Sequence, residues 1–328
     1  MNPILSRRSL ASLTTALIAS PRLARADTIG HSAKMVLGYG AGSAMDTIAR
    51  LFAREYTGTY APNIIVENRT GANGRIAIEA VQHAAPDGET MLMTPESALT
   101  IYPHVYPHTL RYDPLKDFVP VLPMAAFGYA FAVGANHPAR DLAGFVAWAG
   151  TQPDVGYGSP AAGSGLHFLT VQMAKKFDLR MTHVPYRDTG QMLGDLEAGR
   201  LPAAMQVAGN VVQLHQTGRV RILAVSTEER LASLPDVPCF AELGYPDMTT
   251  LAMYGLLLPA GTPQPIVDGL LAATLAASRK PEVIETMRRL DQAPVTNITT
   301  SAGFAARILQ EQDRWGPIVR ESGFKAES

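Results

Sequence analysis

Apolar and polar positions follow a repeated order of short strand, glycine-containing loop and amphipathic helix. In the first unit, residues 34–37 predict a strand, residues 38–43 a loop and Ala44–Tyr56 a helix with apolar side chains at helical spacing. The second unit has a strand at Asn63–Val66 and a helix at Arg75–Ala84. Repetition of this unit is typical of parallel α/β layers.

The unit recurs further along the chain. A strand is predicted at Thr90–Met93, and the later strands are predicted at Ala130–Val133, Val155–Gly158, Thr182–Val184, Ala203–Val207 and Ile222–Ser226. The last part of the chain predicts helices at Pro263–Ser278, Pro281–Leu290 and Ser301–Gly323. The fold class expected from this pattern is α/β.

Two places look like chain crossings between domains. The apolar stretch Val119–Val133 is longer than one strand needs, and Tyr254–Leu258 resumes the α/β pattern after an irregular segment. A length of 328 residues also favours two domains. We therefore expect residues 27–126 and 253–328 to form domain 1 and residues 127–252 to form domain 2, each a mostly parallel sheet flanked by helices.

The first 26 residues are typical of an export signal. Arg7 and Arg8 precede a short apolar run, and the segment ends in Ala24-Arg25-Ala26, so we expect cleavage after Ala26 and a periplasmic protein. The arginine pair resembles a twin-arginine signal, and ordinary Sec export is the alternative. Cleavage removes four arginines and no acid, which changes the formal net charge from −1 to −5. An acidic protein without basic runs argues against nucleic acid or an anionic membrane as a partner.

Two loops carry the candidate chemistry. The segment Gly38–Asp46 places small residues where backbone N–H groups converge at a helix start, which is typical of an anion site. Ser43 and Asp46 also have the spacing of a capping box, and a capped helix still offers free N–H groups. The segment Tyr157–His167 repeats the arrangement with Ser159 and Ser164 as hydroxyl donors. Two such loops in two domains suggest one ligand held from both sides.

Enzymatic alternatives are open at the same positions. Gly38-x-Gly40-x-x-Ser43 with Glu67 is a degraded dinucleotide fingerprint, which would indicate a periplasmic nicotinamide-dependent oxidoreductase. A serine hydrolase using Ser159 or Ser164 is less favoured, because G-x-S-x-G and a suitably placed acid are absent. The histidines at 104 and 108 lie among prolines without a nearby acid, so no metal site is expected.

Eight collinear motifs, taken together, resemble the Bug family of periplasmic solute receptors of tripartite tricarboxylate transporters. They are Gly42-Ser43-Ala44-Met45-Asp46-x-x-Ala49-Arg50, Val66-Glu67-Asn68-Arg69-x-Gly71-Ala72, Ala85-Pro86-Asp87-Gly88, Tyr112-Asp113-Pro114-x-Lys116-Asp117-Phe118, Tyr157-Gly158-Ser159-Pro160, His183-Val184-Pro185-Tyr186, Leu234-Pro235-Asp236-Val237-Pro238 and Pro259-Ala260-Gly261-Thr262-Pro263. The resemblance runs from about Lys34 to the C-terminus.

The resemblance implies a two-domain periplasmic-binding-protein (Venus flytrap) fold and a receptor, not an enzyme. Such a receptor closes on a small organic carboxylate and delivers it to the membrane subunits of the transporter, as a monomer and without a cofactor or metal. A receptor that contacts a sensor without transport has the same fold. The implied ligand-binding residues are Gly42, Ser43, Ala44, Met45, Thr94, Ser97, Ser159, Gly163, Ser164, Tyr186, Arg187 and Gln206. If the guanidinium of Arg187 reaches a ligand carboxylate, Arg187→Ala should weaken dianion binding by about 1–3 kcal/mol.

The sequence departs from the family pattern at two sites. In the first loop, Ala41 replaces a proline and Ser43 replaces a glycine. After Gly199, where many relatives carry an acid or amide pair, this chain has Gln206-Val207. Because an acid or Asn there would favour a ligand amino group, Gln206 argues against an amino-acid ligand.

Overall fold

The computed structural model describes residues 29–159, 162–186 and 189–324, so the predicted signal at residues 1–26 lies outside it. The described chain forms two β-sheets flanked by helices. The strands are β1 Ala33–Leu37, β2 Ile64–Asn68, β3 Thr90–Pro95, β4 Phe118–Phe127, β5 Tyr129–Gly134, β6 Val155–Ser159, β7 Met181–Pro185, β8 Ala203–Val207, β9 Val220–Val225, β10 Ala252–Pro259 and β11 Gln292–Ala293.

Helices flank both sheets, and the five helices predicted from the pattern are among them. The helices are α1 Ala44–Tyr56, α2 Arg75–Gln82, α3 Ser97–Thr100, α4 Tyr102–Val105, α5 Leu142–Ala149, α6 Gly165–Lys176, α7 Thr189–Glu197, α8 Ala208–Gln216, α9 Gln264–Ser278, α10 Pro281–Arg289 and α11 Ser301–Glu321, with 3-10 turns at Ala72–Gly74 and Pro246–Met248. Across the described ranges, none of these helices combines the length and apolar character needed to cross a bilayer.

The two sheets define two lobes. The first lobe is built on the sheet β11-β4-β10-β3-β1-β2, and the second lobe on the sheet β7-β6-β8-β5-β9. In the first sheet β1 runs parallel to β2 and β3. Strand β10 is antiparallel to both β3 and β4, and β11 is antiparallel to β4. In the second sheet β6 runs parallel to β7 and β8, and β5 is antiparallel to β8 and β9. Both sheets are therefore mixed. Strands β4, β5 and β10, which adjoin the places where the chain changes lobe, pair antiparallel with their neighbours.

Helix α1 shows how local sequence positions a loop of the cleft. Its residues Met45, Ile48, Ala49, Phe52 and Tyr56 recur at intervals of three and four and are all buried against the first sheet. The Tyr56 hydroxyl lies 2.7 Å from the hydroxyl of Thr274 in α9, which adds a buried hydrogen bond to this packing. The packed face fixes the helix, and therefore fixes where its N-terminus points.

The chain passes from the first lobe to the second and back along three strands. Strands β4 and β5 are separated by Gly128 alone, and the chain returns to the first lobe at β10. The hydroxyl of Ser226 ties the two crossings together: it accepts from Tyr129 N–H at 2.8 Å and donates to the Thr250 carbonyl at 2.7 Å. The division at residues 126 and 253 stays a prediction; Ala126 and Met253 are paired neighbours in the first sheet.

Candidate ligand-binding site

A cavity of about 520 Å³ lies between the two lobes. Loops and crossing strands from both lobes line it. The lining residues from the first lobe and the crossings are Tyr39, Gly40, Ala41, Gly42, Ser43, Ala44, Met45, Thr70, Pro95, Ser97, Phe127, Tyr129 and Tyr254. Those from the second lobe are Ser164, Leu166, Thr189, Gln206, Val207 and Asn210.

The N-terminus of α1 opens into this cavity. Ser43 caps the helix, because its hydroxyl oxygen accepts from Asp46 N–H at 3.2 Å, as the capping-box spacing predicted. The return bond differs from a standard box, since the Asp46 carboxylate accepts from Gly42 N–H at 2.9 Å. First-turn N–H groups have no acceptor within a helix, and those of Ala44 and Met45 have no partner among the described residues. These two donors are available to an anion.

Asp46 is a structural anion beneath the loop. It is 3% exposed, and its carboxylate accepts a two-point hydrogen bond from the Arg50 guanidinium, at 2.9 and 3.0 Å. The Asn68 amide donates to the same carboxylate at 3.0 Å. Burial raises the pKa of Asp46, but the bonds from Arg50, Gly42 and Asn68 outweigh burial and hold it below its usual value. A permanently ionised Asp46 therefore fixes the loop and does not line the cavity.

The second-lobe helix α6 presents its N-terminus to the same cavity. Ser164 is its N-cap residue, and both Ser164 and Leu166 line the cavity. The preceding turn is held by His167, whose Nδ1 accepts from Gly163 N–H at 3.0 Å. The N–H groups of Gly165 and Leu166 have no partner among the described residues. Two helix N-termini, one from each lobe, therefore open into one cavity.

The rest of the lining is neutral. Within the part of the chain that the structure describes, no Asp, Glu, Lys, Arg or His lines the cavity. The ring centroids of Phe127 and Tyr254 are 4.4 Å apart, and Tyr129 continues this aromatic wall. Burial raises the pKa of Tyr129 and Tyr254 well above the usual range, so both hydroxyls stay protonated. An anion in this cavity would be held by dipoles and not by a counter-charge on the lining.

The structure brings together several of the residues implied by the sequence and separates others. Those that line the cavity are Gly42, Ser43, Ala44, Met45, Ser97, Ser164 and Gln206. Those that do not are Thr94, Ser159, Gly163 and Tyr186. The Ser159 hydroxyl is buried and lies 2.8 Å from Nε2 of His183, and the Tyr186 hydroxyl donates to Asp195 at 2.8 Å. Arg187 lies outside the described residues. A ligand-binding role for all twelve residues stays a prediction.

Sequence reasoning missed the aromatic wall and Asn210. Phe127 and Tyr129 flank the first crossing, and Tyr254 is the third residue of the returning strand β10. The signal was present, because strands that connect two lobes run along the floor of the cleft. Asn210 lies in the first turn of α8, directly after the predicted strand that contains Gln206.

Residues 48–324 match the family model described as the tripartite tricarboxylate transporter family receptor. The chain belongs to this receptor family. The match confirms the resemblance drawn from the eight collinear motifs. It also confirms a solute-binding receptor, as opposed to the nicotinamide-dependent oxidoreductase kept as the alternative.

Three relatives illustrate the breadth of this receptor family. BugT of Bordetella pertussis is 29% identical over 316 residues, which cover 95% of each chain. The structure of MatC from Rhodopseudomonas palustris with bound malate is 28% identical, with a TM-score of 0.81 over 88% of this chain and 99% of MatC. The structure of Rpa4515 from R. palustris with adipate is 27% identical, with a TM-score of 0.83 over 89% of this chain and 97% of Rpa4515. These structures confirm the predicted two-lobed α/β binding-protein fold.

Proposed function

We propose that residues 27–328 form a periplasmic receptor that captures a small organic carboxylate between its lobes. The bound ligand is then delivered to the membrane subunits of a tripartite tricarboxylate-type transporter. The observation that carries this proposal is the pair of helix N-termini, α1 and α6, that open into one neutral cavity. The malate in MatC and the adipate in Rpa4515 support a carboxylate as the ligand class.

The electrostatics of the site suit an anion with a polar end for each lobe. Unpaired N–H groups and the helix dipole make each N-terminus attractive to negative charge. With a net charge of −5 expected after cleavage, the overall field of the protein repels anions, so capture depends on these local donors. The aromatic wall excludes water, which strengthens the hydrogen bonds that a carboxylate would accept.

We further propose that the lobes close on the ligand about the two crossings. In this view residues 27–126 with 253–328 move against residues 127–252. Two contacts between the lobes support this. The Asn73 amide donates to the Ala162 carbonyl of the second lobe at 3.3 Å, and Lys175 of α6 pairs with Glu321 of α11 at 2.7 Å.

Thermal unfolding of the refolded mature protein tests the ligand class. The protein is denatured and refolded to remove bound ligand, then heated with organic acids, amino acids or dinucleotides. A carboxylate at about 100 times its Kd should add roughly 2.7 kcal/mol of stability, which raises Tm by a few degrees. A rise in Tm with dinucleotides alone, together with absorbance at about 340 nm in the purified protein, would contradict the receptor function.

Export is tested separately from binding. We expect intact-mass analysis of the protein from a periplasmic extract to give a chain that begins at Asp27, because cleavage follows Ala26. Replacing Arg7 and Arg8 by Lys separates the two export routes: twin-arginine export should stop, whereas Sec export tolerates lysine. A full-length chain found in the cytoplasm would contradict the proposed location.

A further inference from the structure

Among the described residues that line the cavity, Gln206 has a buried side-chain amide without a full set of hydrogen bonds. It lies in β8, lines the cavity and is 0% exposed. Its Nε2 is buried and has no partner among the described residues. A buried amide N–H without an acceptor lowers the stability of the folded protein. Where one occurs in a native protein, a bound water or ion or a functional role usually accounts for it.

The direction of this amide is fixed by its neighbours. Its Oε1 accepts from Val207 N–H at 2.7 Å and from the Asn210 side-chain amide at 3.3 Å. A backbone N–H donates and cannot accept, so the oxygen of Gln206 must face Val207. The opposite orientation would place two donors against each other. The side of the amide left without a partner is therefore the donor side.

The described residues offer Gln206 Nε2 no acceptor, so the acceptor has to come from a molecule bound in the cavity. The two helix N-termini offer backbone donors to the ligand, and the Gln206 amide is a separate neutral donor on the second-lobe wall. An oxygen acceptor fits there, whereas an ammonium group would place donors against a donor.

We propose that Gln206 is the specificity-determining residue that requires a second oxygen acceptor on the carboxylate ligand and rejects α-ammonium compounds. This inference rests on the proposed function. The ligand class it names is a hydroxy-, oxo- or dicarboxylate, and amino acids of the same length are excluded. A second carboxylate, a hydroxyl and a carbonyl present the same acceptor oxygen to Nε2.

Matched ligand pairs test this on the unchanged protein. Calorimetry at pH 8 compares succinate with L-aspartate, glutarate with L-glutamate, and adipate with L-2-aminoadipate, which differ by the ammonium group. Adipate is also compared with hexanoate, which lacks the second acceptor. For the dicarboxylate that binds most tightly we expect about 10- to 100-fold preference over its amino counterpart, and adipate should bind about 10-fold or more tightly than hexanoate. Equal affinity within the pairs would overturn the inference.

Two variants test the residue itself. Gln206→Glu keeps an oxygen facing Val207 and Asn210 and turns the donor side into an acceptor. We expect it to weaken dicarboxylate binding about 10-fold or more and to reduce or invert the preference for the dicarboxylate over its amino counterpart. Gln206→Met removes the amide at similar side-chain length. It should weaken dicarboxylate binding without increasing the affinity for amino acids. Gln213→Glu, exposed on α8, adds the same charge and is the control.

The outcomes separate the two proposals. If the wild-type protein binds none of these carboxylates, the proposed function fails and the inference fails with it. If it binds them and both Gln206 variants keep the wild-type affinity and pair preference, the receptor stands and the role of Gln206 is overturned. That result would mean that a bound water satisfies the amide.

Discussion

Acidification of the mature protein should lower its free energy of unfolding steeply between pH 6.5 and pH 4, and His167 with His183 should account for the largest part. Burial lowers the pKa of His167 to about 3, helped by His183, and burial lowers that of His183 to about 4. In the unfolded chain both return to about 6.5. The unfolded state therefore binds two more protons over this range, and stability falls as pH falls.

The structure explains why both rings stay neutral. Their centroids are 4.4 Å apart, and Tyr157, Phe168 and Phe324 pack around them. In addition, Nδ1 of His167 accepts from Gly163 N–H, so protonation there would break the turn that leads into α6. Each neutral histidine contributes about 1.4 kcal/mol per pH unit, or roughly 5 kcal/mol for the pair over two units.

Urea unfolding from pH 4 to pH 7.5 with His167→Asn, His183→Gln and the double variant measures this. Each single variant should reduce the slope of stability against pH by about 1.4 kcal/mol per unit, because its side chain does not titrate. The slope is the readout, since loss of packing would lower stability equally at every pH. His108→Asn, which changes an exposed histidine, is the control. An unchanged slope in the double variant would show that the two rings titrate normally in the folded protein.

The titration of Glu96 has the opposite effect on stability, and its contribution has to be separated from that of the two histidines. Burial raises the pKa of Glu96 to about 7, although Arg307 lies 2.9 Å away and lowers it. An acid that binds its proton more tightly when folded adds stability as pH falls from about 7 towards 4.5. Glu96 therefore offsets about one proton of the histidine effect, and differences between variants are more informative than the wild-type curve alone.

Local sequence determines the first-lobe loop that leads into α1, and this part of the site was predictable. The end of β1, the Ser43 cap and the start of α1 follow from residues within one turn of each other. The short helices α3 and α4 were not predicted, because four residues show no periodicity.

Features that depend on distant residues were predicted incompletely. Tyr254 reaches the cavity because β10 returns between β3 and β4. Ser159 was expected to face the ligand, yet its hydroxyl is bonded to His183 on the neighbouring strand β7. Gln206 was identified as a site residue, but the direction of its amide is fixed by a hydrogen bond from Val207 N–H that the sequence pattern does not show.

The Gly38→Ala variant should lose both stability and ligand affinity, although it adds a single methyl group. Gly38 follows β1 and precedes the loop that opens α1. A Cβ at Gly38 would lie 2.4 Å from the Cα of Gly74 and 2.9 Å from its carbonyl oxygen, both backbone atoms. Backbone cannot rotate away as a side chain can, so one of the two segments has to move. Overpacking of this kind costs about 1–3 kcal/mol.

The segment that would move carries the binding loop. Tyr39 lines the cavity and lies against Gly74, whose φ of +86° is a conformation that glycine adopts more readily than other residues. Displacement of residues 39–45 by a few tenths of an ångström misaligns the N–H groups of Ala44 and Met45. Because hydrogen bonds to charged groups contribute about 1.5–3 kcal/mol, partial loss of two should weaken carboxylate binding by about 10-fold or more.

Denaturant unfolding and calorimetry with the carboxylate that binds the wild-type protein measure both effects. Gly30→Ala is the matched control, since nothing lies within 4 Å of a Cβ at Gly30, and it should change stability by less than about 0.5 kcal/mol. A Gly38→Ala protein with wild-type stability and affinity would mean that the two loops separate easily in solution. The close approach of Gly38 to Gly74 would then have no part in holding the α1 N-terminus at the ligand.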